Sequence, residues 1–148
     1  MSSLRLATMD DLDRLMPLVA GLHAQSGIEQ DDETRRAALA PLLEGSPHGA
    51  IWMIGPRSAP VGYIAVSFGW SIEFGGLDAF LDEVYVRERV RGRGMGSEAL
   101  ATLVRALSEQ GIKAMHLEVG SDNDRARALY SRLGFGIRDR YHVMSRML

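Results

Sequence analysis

Between Phe80 and Leu107 the apolar residues change their period, and what joins the two halves limits what this chain can become. Phe80 to Val86 reads as a strand, while Leu100, Leu103, Val104 and Leu107 recur at helical spacing. Between them lies Arg87-Glu88-Arg89-Val90-Arg91-Gly92-Arg93-Gly94-Met95-Gly96-Ser97. A strand therefore runs through a short basic loop into glycines that open a helix. Glycines allow close backbone approach and dihedrals that side chains forbid. The first N–H groups of a helix have no internal partner and carry the positive end of its dipole. The product is an anion site suited to a pyrophosphate. Arg87, Arg89, Arg91 and Arg93 place four arginines within seven residues of a chain whose net charge is -2. They can supply bidentate donors, or form a solvated basic face.

The rest of the chain supplies the surrounding architecture. Thr8 and Asp11 mark a helix start, followed by Leu12, Leu15, Met16 and Val19 at helical spacing, with Gly21 and Gly27 bracketing the stop. Asp31 and Asp32 open a second helix that ends before Gly45-Ser46-Pro47. Ala50 to Ile54 and Val61 to Phe68 read as a hairpin about the turn 55–60, and Gly69 to Gly76 as a loop. After the glycine-rich turn and its helix come a strand over Lys113 to Val119 and a helix with Ala126, Leu129, Tyr130 and Leu133. Gly134 stops that helix, and the last strand or strands fall in Phe135 to Leu148. The expectation is a single α+β domain over 1–148. Its sheet is mixed and mostly antiparallel, with helices on both faces and one right-handed parallel β-α-β crossover.

Three phosphate-binding turns can be compared with this one. A P-loop needs Lys then Ser or Thr after its second glycine, whereas Gly96 is followed by Ser97 and Glu98. A dinucleotide turn needs G-x-G-x-x-G. Gly92 and Gly94 fit it, but Ser97 stands third, a five-residue loop precedes the turn, and only thirty residues follow Glu118. The third possibility fits. Arg91-x-x-Gly94-x-Gly96, followed by Asn123-x-x-Ala126-x-x-x-Tyr130-x-x-x-Gly134-Phe135, resembles the two successive motifs of the GNAT superfamily of acetyl-CoA-dependent N-acetyltransferases. The diagnostic residues fall between about Asp82 and Phe135, and the element order matches over essentially the whole chain.

That resemblance implies a set of roles. The strand Leu81 to Val86 would splay from its neighbour, and backbone groups of Val84 and Val86 would receive the pantetheine arm of acetyl-CoA. Backbone N–H groups of Arg91, Gly92, Arg93, Gly94, Gly96 and Ser97 would hold the pyrophosphate. Asn123 would cap its helix and contact the coenzyme. Tyr130 would face the coenzyme sulfur, where a phenol, neutral at pH 7, can protonate the departing thiolate. Glu83 would take the amine proton, with Glu118 as second choice. Period-2 alternation groups Leu81, Glu83 and Tyr85 on one face and Asp82, Val84 and Val86 on the other. A salt-bridged Glu83 and a merely packed Tyr130 are the plainer readings of the same residues.

The acceptor is expected to be a primary amine, drawn by the acids Glu29, Asp31, Asp32 and Glu33 and by Glu73, Asp78, Asp82 and Glu83 with Trp70 and Phe74, in or near the Gly69 to Ala79 segment. Direct attack in a ternary complex is the expected chemistry; a non-catalytic acyl-CoA sensor of the same fold is the alternative. The charge balance disfavours nucleic acid. No stretch approaches a membrane span, and Met1 to Asp13 lacks an apolar signal core, which makes the cytoplasm the default compartment. There are no cysteines, and the four histidines share no ligand spacing, so no metal is expected. A homodimer is carried over from the family as an expectation only.

Overall fold

A computed structural model describes residues 4–148, and residues 1–3 lie outside the described residues. Read as one domain, the chain is described as two compact units that divide between Glu118 and Val119.

The first unit is a five-stranded sheet in chain order, β1 (Leu4–Leu6), β2 (Gly49–Ile54), β3 (Gly62–Ser71), β4 (Gly76–Val86) and β5 (Met115–Leu117). All neighbouring pairs are antiparallel except β4 and β5, which run parallel across the connecting helix α3 (Met95–Glu109). Two helices, α1 (Leu12–Ser26) and α2 (Asp32–Leu43), precede β2. The start of α1 follows the capping signal: the Thr8 N–H donates to the Asp11 carboxylate at 2.9 Å, and Arg5 donates to both oxygens of that buried acid at 2.9 and 2.7 Å. Asp31 caps α2 by accepting the Thr34 N–H at 2.7 Å.

Each sheet face has its own helix layer. Leu12, Leu15, Leu18 and Val19 of α1 and Leu39 and Leu43 of α2 cluster with Ile51, Met53, Tyr63 and Ala65. Ile64 and Val66, which alternate with those residues along β3, are also buried, and α3 supplies the buried stripe Ala99, Leu100, Leu103 and Leu107. Each fully buried Leu or Ile contributes about 1.5–3 kcal/mol relative to exposure.

Three sequence readings change. The expected loop 69–76 is half strand, with only 72–75 left as the turn, because β3 and β4 pair from Gly62↔Val86 out to Ser71↔Gly76. Gly69, which looks like a breaker, instead lets Asp78 approach across the hairpin; a Cβ there would stand 3.0 Å from its Oδ1. The strand expected over 113–119 shortens to Met115–Leu117, because its neighbour β4 pairs with it only from Ala79 to Leu81. The third change is the alternation in β4. Leu81 pairs with Val66 and Glu83 with Ala65, so Asp82 is an inserted residue with no opposite number. Cross-strand partners share a face, and Val66 and Ala65 face opposite ways. Leu81 therefore lies on the α3 side, opposite Glu83 and Tyr85.

The second unit, Val119–Leu148, contains one helix, α4 (Asp124–Arg132), capped by the Asn123 side chain accepting the Ala126 N–H at 3.2 Å. Phe135 to Leu148 was expected to be strand and has none in the described structure. A strand needs a neighbour for its ladder, and this unit has no second strand to offer. Among the described residues no helix is long and apolar enough to cross a membrane.

Candidate active site

The site grows from the end of β4. Its first part is held on both sides, by β3 and by β5, but parallel pairing stops at Leu81↔Leu117 while β4 runs on to Val86. Asp82 to Val86 thus form an edge open on one side among the described residues. Arg87 donates its N–H to Val61 on the β3 side at 2.7 Å, so alternation points the backbone groups of Val86 and Val84 toward the open side.

The open edge leads into a single turn of 3₁₀ helix, Glu88–Val90, and then into the glycines. Gly92 and Gly94 have φ of 81° and 76°, the left-handed region that only glycine enters cheaply. Nothing lies within 4 Å of where their Cβ atoms would be, so the turn is open to solvent above them. Gly96 is different: a Cβ would come 3.3 Å from the Val86 side chain, so its smallness lets α3 start close to β4. Within this unit no backbone carbonyl takes the N–H groups of Gly92 to Ser97; the first α3 ladder bond is Glu98 N–H to Gly94 C=O at 2.9 Å. Six amides at the start of a four-turn helix, in open space, suit an anionic group.

Arg91 behaves differently from its neighbours. Its N–H donates to Glu88 C=O at 3.2 Å, its Nε to Val86 C=O at 2.7 Å, and its Nη2 to Gln25 Oε1 at 2.6 Å. The guanidinium lies 5.3 Å from the Tyr85 ring centre.

On the α1 side of β4, Glu83 has both carboxylate oxygens engaged. Tyr63 donates its hydroxyl to Oε1 at 2.8 Å, and His23 Nε2 stands 2.7 Å from Oε2. Burial, then the negative Glu83, push the Tyr63 phenol far above its ordinary range, which fixes it as a neutral donor. Asp82, on the bulge, keeps solvent access. Desolvation first, then repulsion from Glu83 and from Glu118 just beyond β5, raise its carboxyl above the usual aspartate value.

The remaining expected residues lie elsewhere. Trp70 pairs with Leu77 near the tip of the β3–β4 hairpin, and Glu73 and Phe74 are in its turn. Leu77 is six residues from Glu83, about 20 Å along a strand. These aromatics are expected beside the chemistry; Phe74 instead lies tilted against His116, ring centres 5.4 Å apart, and His116 pairs with Asp78. Of the acids at the start of α2, Asp31 caps the helix and Asp32 holds the buried Arg35 at 2.7 Å. In the second unit Tyr130 meets Phe135 edge-on at 6.0 Å, and burial raises its phenol. Sequence reasoning missed His23, Tyr63 and Gln25 as members of this site, and placed Asp82 only among the acids near the acceptor. His23 follows Val19 by one helical turn on the buried stripe, which signals burial but not a partner sixty residues away.

The profile of the Acetyltransferase (GNAT) family matches residues 13–135, most of the chain and every element just described from α1 to α4. This chain belongs to the GNAT family. It is 38% identical over 71 residues to an uncharacterized N-acetyltransferase, YycN, of Bacillus subtilis (strain 168), covering 48% of this chain and 44% of that one. It is 32% identical over 74 residues to the thialysine N-epsilon-acetyltransferase of Bos taurus, covering 50% and 43% respectively. The matches thus span less than half the length of these relatives. Over nearly the whole fold it resembles an integron cassette protein from the mobile metagenome of Cole Harbour Salt Marsh. That likeness has a TM-score of 0.85 at 30% identity, covering 98% of this chain and 90% of the other. The open end of β4 and the glycine turn of this GNAT chain lie inside the matched region.

Proposed function

We propose that this chain is an N-acetyltransferase that moves an acetyl group from acetyl-CoA directly to a primary amine. One observation carries the reading: β4 loses its partner after Leu81 and runs, as an open edge, into the free amides of Gly92 to Ser97. A pantetheine arm needs backbone partners, and a diphosphate needs N–H donors; this segment offers both in sequence. The open space above Gly92 and Gly94 fits the second group, and a side chain at either position would fill it. Membership of the family and the amine named in the cattle relative support the donor and the acceptor class.

In this reading Gly92, Arg93, Gly94, Gly96 and Ser97 hold the diphosphate, and Val84 with the Val86 N–H meets the arm. Donors aimed at the thioester oxygen stabilise the charge that develops there, and the amine must lose its proton before or during attack. The acids available for that proton are Glu83, fixed by Tyr63 and His23, and Asp82 beside it on the bulge. Tyr130 and Asn123 take the thiolate-protonating and coenzyme-contacting roles carried over from the family motif. Glu29, between α1 and α2, and Glu33, in the first turn of α2, are better candidates for a cationic acceptor than Trp70, Glu73 and Phe74, which sit at the hairpin tip. Free-thiol release from acetyl-CoA across a panel of polyamines, amino acids, aminoglycosides and peptide amines tests the proposal. Amine-dependent release is expected; coenzyme binding without release from any amine would overturn it.

A further inference from the structure

The open edge of β4 has a problem that the rest of the sheet does not. Five residues have lost one line of ladder bonds, and the glycine turn that follows has few internal bonds of its own. Such a segment should drift, yet a coenzyme loop must hold its amides in place before the ligand arrives. One side chain meets both needs. Arg91 Nε supplies the Val86 carbonyl with the donor that a paired strand would have supplied, at 2.7 Å. Its Nη2 reaches the last turn of α1 through Gln25 at 2.6 Å, and its guanidinium carbon lies over the Tyr85 ring, 5.3 Å from the centre. Tyr85 is itself seated on α1, since a Cβ at Gly21 would meet its hydroxyl at 2.7 Å. Loop, strand end and helix end thus converge on one guanidinium.

We infer that Arg91 is a positioning residue: it closes the end of the open β4 edge and ties the glycine turn to α1, and it does not bind phosphate itself. The inference rests in part on the coenzyme reading above, but its core concerns the free protein. A planar guanidinium serves two acceptors at once and stacks on a ring; an ammonium does neither equally well. The charge of Arg91 is therefore incidental, and its shape is what the site uses.

Lysine and Gln25 separate this from a direct phosphate contact. Losing two hydrogen bonds of about 0.5–1.5 kcal/mol each predicts an approximately tenfold rise in the KM for acetyl-CoA in R91A, with kcat at saturation within about twofold. R91K should not rescue it, and Q25A, which removes a residue of α1, should raise KM about threefold in the same direction. Rescue by lysine together with an unchanged KM in Q25A would make Arg91 a phosphate ligand and overturn the inference. A second readout needs no coenzyme. The amides of Arg87 and Val90, bonded to Val61 and Arg87 carbonyls, should exchange with solvent several-fold faster in both R91A and Q25A than in the unmodified protein. Equal exchange in all three would overturn it, even if the protein proved to bind no coenzyme at all.

Discussion

His23 Nε2 and Glu83 Oε2 stand 2.7 Å apart although sixty residues separate them in the chain. This bond crosses from α1 to β4 at the level where β4 has just lost its β5 partner, with Tyr63 holding the other oxygen of the same carboxylate.

Removing the Tyr63 hydroxyl leaves Glu83 Oε1 without its donor. Tyr63→Phe should lower stability by about 1–3 kcal/mol, the cost of an unsatisfied, largely buried polar group. Chemical denaturation checks this, and a double-mutant cycle with Glu83→Gln should show a coupling above about 0.5 kcal/mol. Additive effects would mean that the 2.8 Å contact carries no energy.

Asp82 gives a pH signature. Its carboxyl is raised by burial and by two neighbouring acids, so the folded protein keeps the proton that the unfolded chain releases near the ordinary aspartate value of about 3.9. Stability is thus lost as pH rises from that value through the raised one. Asp82→Asn should raise the Tm at pH 7, and the gain should vanish below about pH 3.5, where Asp82 is protonated in both states. Melting curves across this range check it; a gain independent of pH would assign the effect to something other than charge. If Asp82 also accepts the amine proton, the same variant shifts the rising limb of the rate profile, whereas a shift seen only in Glu83→Gln assigns that role to Glu83.

Asp11 has the opposite sign. The Arg5 hydrogen bonds, then the Thr8 N–H, hold its carboxyl below the ordinary value despite burial. Its contribution is present above about pH 4 and fades as pH falls through the lowered value. Asp11→Asn should cost about 3 kcal/mol at pH 7, because it strands the Arg5 guanidinium at the start of α1, and less at pH 2. Urea titrations at the two pH values compare the costs.

Gly94→Ala separates binding from folding. The left-handed φ of 76° makes alanine cost about 1–2 kcal/mol in stability. The new methyl would also project into the open space over the six amides, so the affinity for coenzyme A by calorimetry should fall by more than tenfold. A loss of stability with full affinity would place the diphosphate elsewhere.

The chain's local signals were legible where they act locally. Asp31 and Asn123 cap the helices they precede, Gly92 and Gly94 adopt the dihedrals that their spacing foretold, and the β4–α3–β5 crossover follows from the change of period. What the sequence hid depends on distant partners. The bulge at Asp82 leaves no mark in composition, because Phe80 to Val86 reads as unbroken strand with or without it. Gly69 carries the same letter whether it ends a strand or makes room for Asp78. Arg91 sat in the expected motif, yet its partners Gln25 and Tyr85 come from α1 and β4, and no spacing rule links them.

The inserted Asp82 also makes β4 two segments with opposite phase. Ahead of it, odd-numbered Leu81 looks toward α3; beyond it, odd-numbered Glu83 and Tyr85 look toward α1. Deleting Asp82 itself would leave Leu81 opposite Val66 and Glu83 opposite Ala65 in a regular ladder, whereas deleting a paired residue such as Val84 would carry one of its neighbours to the wrong face. Loss of the Asp82 position should therefore leave both helix layers correctly faced, while the loss of Val84 or Tyr85 should not, because only Asp82 stands opposite no residue of β3.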